Sequence, residues 1–260
     1  MKKFSSFLVV LMLMLASFTA GAEYQRGDVD QDGAVNISDV TCLIDYLLSG
    51  SWPDEPVAPP DEHEWVDLGL PSGTLWATCN VGANAPEEYG NYFAWGETVP
   101  KNNYDWSSYR WCYDSDSTMT KYCTNCSYGY NGFTDGKTEL DPEDDAAYVN
   151  WGSQWRMPTA EQRKELGELC SWTWTTRNGV KGRLVTGPNG NSIFIPASGY
   201  RLNESLEVAG EHGGFWSRTL HADNSRYAYI LNFQELSVFW SNSSLRFAGR
   251  TVRAVRVSQN

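Results

Sequence analysis

Histidine, late cysteine and basic charge are all scarce in this 260-residue sequence. The three histidines stand at 63, 212 and 221. None lies in HExxH and no GxSxG accompanies them, so zinc-peptidase and serine-hydrolase chemistry lack their usual carriers. His63 falls in a proline- and acid-rich stretch, which reads as linker. Lysine and arginine number 20 against 32 aspartates and glutamates, a formal charge of -12. Such a chain repels phosphate backbones, and no basic, aromatic-interleaved stripe offsets that, so nucleic acid is excluded as a partner. Long apolar runs are missing too. The one at residues 7–18 is shorter than the ~20 residues a membrane helix needs, and no membrane span is expected.

What is there begins with a secretory signature. Lys2 and Lys3 precede that apolar run, and the small residues Ala20, Gly21 and Ala22 follow it. A signal peptide over residues 1–22 is predicted, and with it export to the periplasm, the cell surface or the medium. Export permits disulfides among the six cysteines. Cys112 with Cys123 and Cys79 with Cys170 are the preferred pairings. CTNC at 123–126 has the spacing of a metal knuckle, but no second pair or nearby histidine completes a zinc site.

The stretch DVDQDGAVNISD at 28–39 carries oxygen-bearing side chains at its first, third, fifth, ninth and twelfth positions, with glycine at the sixth. Calcium takes such oxygens, plus a backbone carbonyl from the seventh position, and the glycine permits the sharp turn. Asp28, Asp30, Asp32, the Ala34 carbonyl, Asn36 and Asp39 are the predicted ligands. After the loop, Val40, Leu43, Ile44, Leu47 and Leu48 recur at helical spacing before Gly50. GDVDQDGAVNISDVTCLIDYLLSG resembles one type I dockerin repeat. That resemblance implies Ca2+ and a cohesin-like or other protein partner, although the second repeat of a dockerin is missing. The apolar helix stripe then needs another cover.

Residues 51–63 form a semi-stiff linker rich in proline and acid. From residue 64 the texture changes to short alternating runs. WVDLGL (65–70), TLWATC (74–79), NYFAWG (91–96), GRLVTG (182–187), SIFIPA (192–197), RYAYILNF (226–233), LSVFW (236–240) and TVRAVRV (251–257) read as strands. GPNGN at 187–191 supplies a hairpin turn. Two helices are expected. One is capped by Asp141 with Pro142 at its first position. The other is opened by a Thr159–Gln162 capping box, with Leu166, Leu169 and Cys170 on one face. Many short antiparallel strands with two helices make the fold class α+β.

Several ordered blocks, among them WVDLGLPSGTLWATCNVGA, NYFAWGET, DDAAYVNWGSQWRMPTAEQRKEL, CSWTWT, VTGPNGNSIFIPASGYR and GRTVRAVR, resemble the Fibrobacter succinogenes major paralogous domain. That family is common in exported proteins of Bacteroides-type bacteria. The resemblance spans residues 64–260 and implies a C-type lectin-like fold, shared with formylglycine-generating enzymes. Those enzymes rely on cysteines late in the fold, and this chain has none after Cys170. Neither EPN nor QPD appears, and WSNS at 240–243 only faintly resembles WND, so calcium-bridged sugar binding does not carry over. A non-enzymatic binding protein is the leading expectation, with a glycan or a surface protein as ligand. An enzyme related to formylglycine-generating or glycan-active proteins, or a purely structural cell-surface component, stands as the alternative.

In such folds ligands tend to meet the late strands. Trp216, Tyr227, Tyr229, Trp240, Asn242 and Arg246 are the candidates, because flat rings and adaptable amides suit glycan and protein recognition. A core role for Trp216 and for part of RYAYILNF is the competing reading. Alternation there sets Tyr227, Tyr229 and Leu231 against Ala228, Ile230 and Asn232.

Overall fold

The computed structural model describes Ile37, Val40, Thr41, Leu43, Ile44, Leu47 and residues 63–257. The chain divides into two compact units, residues 1–60 and 61–260. In the first unit the described residues are all helical, as their spacing predicts. Ile37, Val40, Ile44 and Leu47 are exposed there, and Leu43 is partly covered.

The second unit is built from four small antiparallel sheets. Strands β1 (Trp65–Asp67) and β2 (Thr74–Ala77) pair with β11 (Val255–Val257), in the order β1-β2-β11. Strands β3 (Ser171–Arg177), β4 (Val180–Thr186) and β5 (Ser192–Pro196) form a meander. Strands β6 (Tyr200–Leu202) and β7 (Ser205–Glu207) make a short hairpin. Strands β8 (His212–Leu220), β9 (Tyr227–Gln234) and β10 (Ser237–Leu245) form the third three-stranded sheet, in the order β10-β9-β8. Two helices, α1 (Ala146–Trp151) and α2 (Ala160–Leu169), complete an antiparallel α+β unit.

Local signals account for several elements. The Gly187 N–H bonds the Asn191 carbonyl at 2.9 Å and closes the β4–β5 turn, with Gly190 at φ +85°, where a side chain would be strained. Helix α2 opens on the predicted box: Thr159 accepts from the Gln162 N–H, and Gln162 accepts from the Thr159 N–H. Three expectations are corrected. Asp141 makes no side-chain cap and starts only a 3-10 turn. The cap of α1 is Asp145, buried, which accepts from the N–H groups of Ala147 and Tyr148 and also from Met157. Leu169 is exposed, because α2 ends there and the chain turns outward to β3, whereas Leu166 and Cys170 are buried. His63 belongs to the folded unit, stacked on Trp151 with ring centroids 3.8 Å apart.

The run at 91–96 is not a ladder strand. Only Phe93 bridges a neighbour, Arg250, and most of the carbonyls of 92–96 are taken by side chains from far along the chain. Tyr104 Oη donates to the Tyr92 carbonyl at 2.6 Å, Trp216 Nε1 to Phe93 at 2.8 Å, Tyr109 Oη to Trp95 at 2.7 Å and Trp111 Nε1 to Gly96 at 2.6 Å. The Ala94 carbonyl accepts from the Glu97 N–H. Buried backbone groups must be satisfied, and here ring hydroxyls and indoles replace a partner strand. Burying such a ring removes roughly 150–250 Å², about 4–6 kcal/mol at 25 cal/mol per Å², against about 1 kcal/mol net for its hydrogen bond. Packing therefore supplies the stability and the hydrogen bond sets the direction of each ring.

The β8–β9 ribbon separates two hydrophobic clusters. Trp216, Ala228 and Ile230 pack with Trp95, Tyr122 and Trp155 on one face. Phe215, Leu231 and Phe233 pack with Trp76, Leu166 and Ile195 on the other. A third cluster under residues 89–128 holds Tyr92, Tyr104, Tyr109, Cys112 and Cys123. No disulfide joins Cys79, Cys112, Cys123, Cys126 or Cys170 among the described residues. Burial pushes the Cys112 and Cys170 thiols up to about 11.

Candidate functional site

The late strands divide the predicted binding residues sharply. Trp216 and Arg246 are both 0 % exposed, so neither reaches a ligand at the surface. Trp216 is held by its bond to the Phe93 carbonyl. Among the described residues Arg246 has no carboxylate partner. Its guanidinium donates to Tyr109 Oη at 2.8 Å and to the carbonyls of Ser225, Tyr122 and Lys121 at 2.9, 3.0 and 3.0 Å. It also lies against the rings of Trp95 and Tyr109. A planar fork with several donors suits that set of acceptors, which is why arginine occupies a buried site that a point charge could not fill.

Tyr227 and Tyr229 are half-buried on the face of β9 that turns outward before Leu231. His221 lies beside them, its ring centroid 5.0 Å from Tyr229. Beneath Tyr229 sits buried Arg163, whose guanidinium carbon is 5.6 Å from the ring centroid. Burial pushes Arg163 down to about 10, with Tyr229 opposing the shift. The alternation expected along β9 holds through Leu231: Ala228 and Ile230 enter one hydrophobic cluster, and Leu231 enters the other, on the face that also carries Tyr227 and Tyr229.

The exposed part of the predicted site is β10. In the β10-β9-β8 sheet it is an outer strand, and among the described residues no backbone hydrogen bond reaches its free edge between Ser237 and Ser244. Phe239 faces Asn232 and Asn242 faces Ile230, so Trp240 and Ser241 together oppose the single residue Leu231. This is a β-bulge, which twists an edge and interrupts its pairing capacity. Trp240 turns inward over α2, where a Cβ on Gly167 would lie 2.6 Å from the Trp240 Cβ. Ser241 and Asn242 stay exposed, as does Phe239 at 45 %. Asn242 Nδ2 donates to Asn232 Oδ1 at 3.0 Å, which fixes the amide. Val238, Phe239, Trp240, Ser241 and Asn242 line a concavity of about 450 Å³. Phe239 is not among the residues expected from the sequence. Its signal was the alternation in VFW, which sends Phe239 outward wherever Val238 and Trp240 pack inward.

The predicted calcium ligands Asp28, Asp30, Asp32, Ala34, Asn36 and Asp39 lie outside the described residues, as does Leu48 of the helix stripe. Among the described residues the carboxylates of Asp141, Glu143 and Asp144 lie within 4.8 Å of one another. A cation already stands there: Lys121 Nζ is 2.7, 3.7 and 2.6 Å from them. Tyr122 Oη also donates to Asp144. This cluster therefore ties the 121–122 segment to the turn before α1.

No helix among the described residues is long and apolar enough to cross a membrane. Compared with protein-family models, with curated proteins and with solved structures, the chain has no match.

Proposed function

We propose that this chain is an exported, non-enzymatic binding protein, in which a calcium-binding, dockerin-like module precedes a C-type lectin-like domain that holds a glycan or a surface protein. The observation that carries the ligand surface is the free, bulged edge of β10. It offers an exposed phenyl ring beside a fixed amide and a serine hydroxyl, over a concavity of about 450 Å³. An apolar face with a few oriented polar groups is the usual make-up of a recognition site, here a shallow, open one along a single strand. The bulge also turns this edge away from the simplest alternative, strand-to-strand aggregation.

The exposed residues Ile37, Val40, Ile44 and Leu47 support the second half of the reading, a protein partner for the N-terminal helix. A purely structural cell-surface component is the second reading. It is favoured by the burial of Trp216 and Arg246, which turns much of the late aromatic density into core. Screening the full chain against immobilised glycans and bacterial and host surface proteins decides between them. The binding reading expects at least one ligand whose signal falls about tenfold in Phe239→Ala while the melting temperature is kept. No signal on any surface favours the structural component.

A further inference from the structure

A second cleft lies at the turn of the β9–β10 hairpin. Its volume is about 330 Å³, and its lining includes Trp174, Lys181, Glu211, His212, Glu235 and Leu236. Buried Arg183 clamps its walls together: the guanidinium donates to the Trp172 carbonyl of β3 and to the carbonyls of Gln234 and Glu235 in the β9–β10 turn, at 2.8 and 3.1 Å for the last two. Trp174 lies over that guanidinium and edge-on to Phe233, so its indole is half-buried and held. The remaining wall is a tight turn in which the Glu211 and His212 N–H groups both bond the Val208 carbonyl.

On this rigid frame the polar side chains keep their hydrogen-bonding capacity, and Glu235 acts on Arg183 only through its charge. Lys181, Glu211, His212 and Glu235 make no side-chain hydrogen bond or ion pair among the described residues. Leu236 forms the lip, 93 % exposed. Two carboxylates, an ammonium and an imidazole line the same cleft as the Trp174 indole, a set that suits a ligand offering donors and acceptors together on an apolar body. A ligand of single charge would meet both signs and gain from only one. A pyranose ring meets the whole set. Its axial C–H face lies on the indole, its hydroxyls donate to the carboxylates, and its oxygens accept from the ammonium.

We propose that this cleft is a binding site for one pyranose residue, separate from the β10 concavity. Saturation-transfer NMR on the full chain tests it, with the methyl glycosides of glucose, galactose, mannose and N-acetylglucosamine at millimolar concentration. The expected result is transfer to the ring protons of at least one glycoside. The double variant Glu211→Ala/Glu235→Ala weakens that binding by at least about tenfold, as loss of two hydrogen bonds to charged groups implies. Both glutamates are exposed, and Glu235 acts on Arg183 through its charge alone, so circular dichroism and the melting temperature are read for the double variant and binding is compared at a temperature where both proteins are folded. Phe239→Ala retains the transfer, which separates this site from β10. Absence of transfer from all four glycosides, equal transfer in wild type and double variant, or loss that follows Phe239→Ala and spares the double variant overturns the proposal.

Discussion

At the residue scale, the protein uses polar side chains as fasteners for backbone that no strand covers. Arg246 is the clearest case, with four oxygen acceptors around a fully buried guanidinium. Lysine at this position keeps the charge but cannot reach all four, and each buried acceptor left alone costs about 1–3 kcal/mol. Arg246→Lys is therefore expected to lose at least about 2 kcal/mol in urea unfolding, and an unchanged midpoint would refute this role. Asp105 gives a pH signature. Burial pulls its pKa up, but bonds from Ser107, Asn103 and Ser108 outweigh that and hold it down to about 2. A depressed folded pKa means that its contribution to stability is complete above the usual aspartate range near 4 and is lost as pH falls toward 2. Asp105→Asn should flatten the acid limb of the stability profile across that window and leave its neutral plateau alone in slope.

Elements show what was legible in the sequence and what was not. The Thr159–Gln162 box and the GPNGN turn were readable because each depends on residues within five positions of one another. NYFAWG has strand composition, yet its carbonyls are satisfied by Tyr104, Tyr109, Trp111 and Trp216 from elsewhere in the chain, which no local pattern announces. The same cause hid the roles of Trp216 and Arg246: composition marks a ring or a guanidinium as fit for recognition, and only packing shows that it is already engaged. SWTWTTR carries the period-two alternation of β3, with Trp172 and Trp174 on one face, yet β3 is not among the strands expected from the sequence. At the level of α2 and β10, Gly167 sets how closely the helix approaches the bulge. Gly167→Ala gains helix propensity of roughly 1 kcal/mol but must displace the Trp240 ring, so a net loss of about 1–2 kcal/mol is expected. Thermal unfolding reads the loss, and a shifted tryptophan emission reads the displacement.

For the whole molecule, the division at residues 60 and 61 implies that the second unit carries its own core. Among the described residues, the buried members of all three hydrophobic clusters lie between 68 and 255. A fragment spanning residues 61–260 should melt cooperatively within about 3 °C of the full chain's main transition, since no core side chain is lost. Calcium assigns the remainder. Calorimetry should register calcium heat with the full chain and none with the 61–260 fragment or with Asp28→Ala, and heat retained by either would move the metal away from the 28–39 loop. The two experiments together separate a calcium module from a domain whose own acidic cluster is filled by Lys121.

The β1-β2-β11 sheet has a mechanical consequence. Trp65, where the chain enters, pairs with Ala77, and Val257, where it leaves, pairs with Thr74, so entry and exit lie at opposite ends of the same central strand. Tension between a tethered N-terminal module and a C-terminal load therefore pulls β1 and β11 lengthwise along β2. The hydrogen bonds of both pairs share that force in shear, where many must break at once, and are not peeled apart one by one. Pulled between residues 65 and 257, the second unit would be clasped by its own first and last strands.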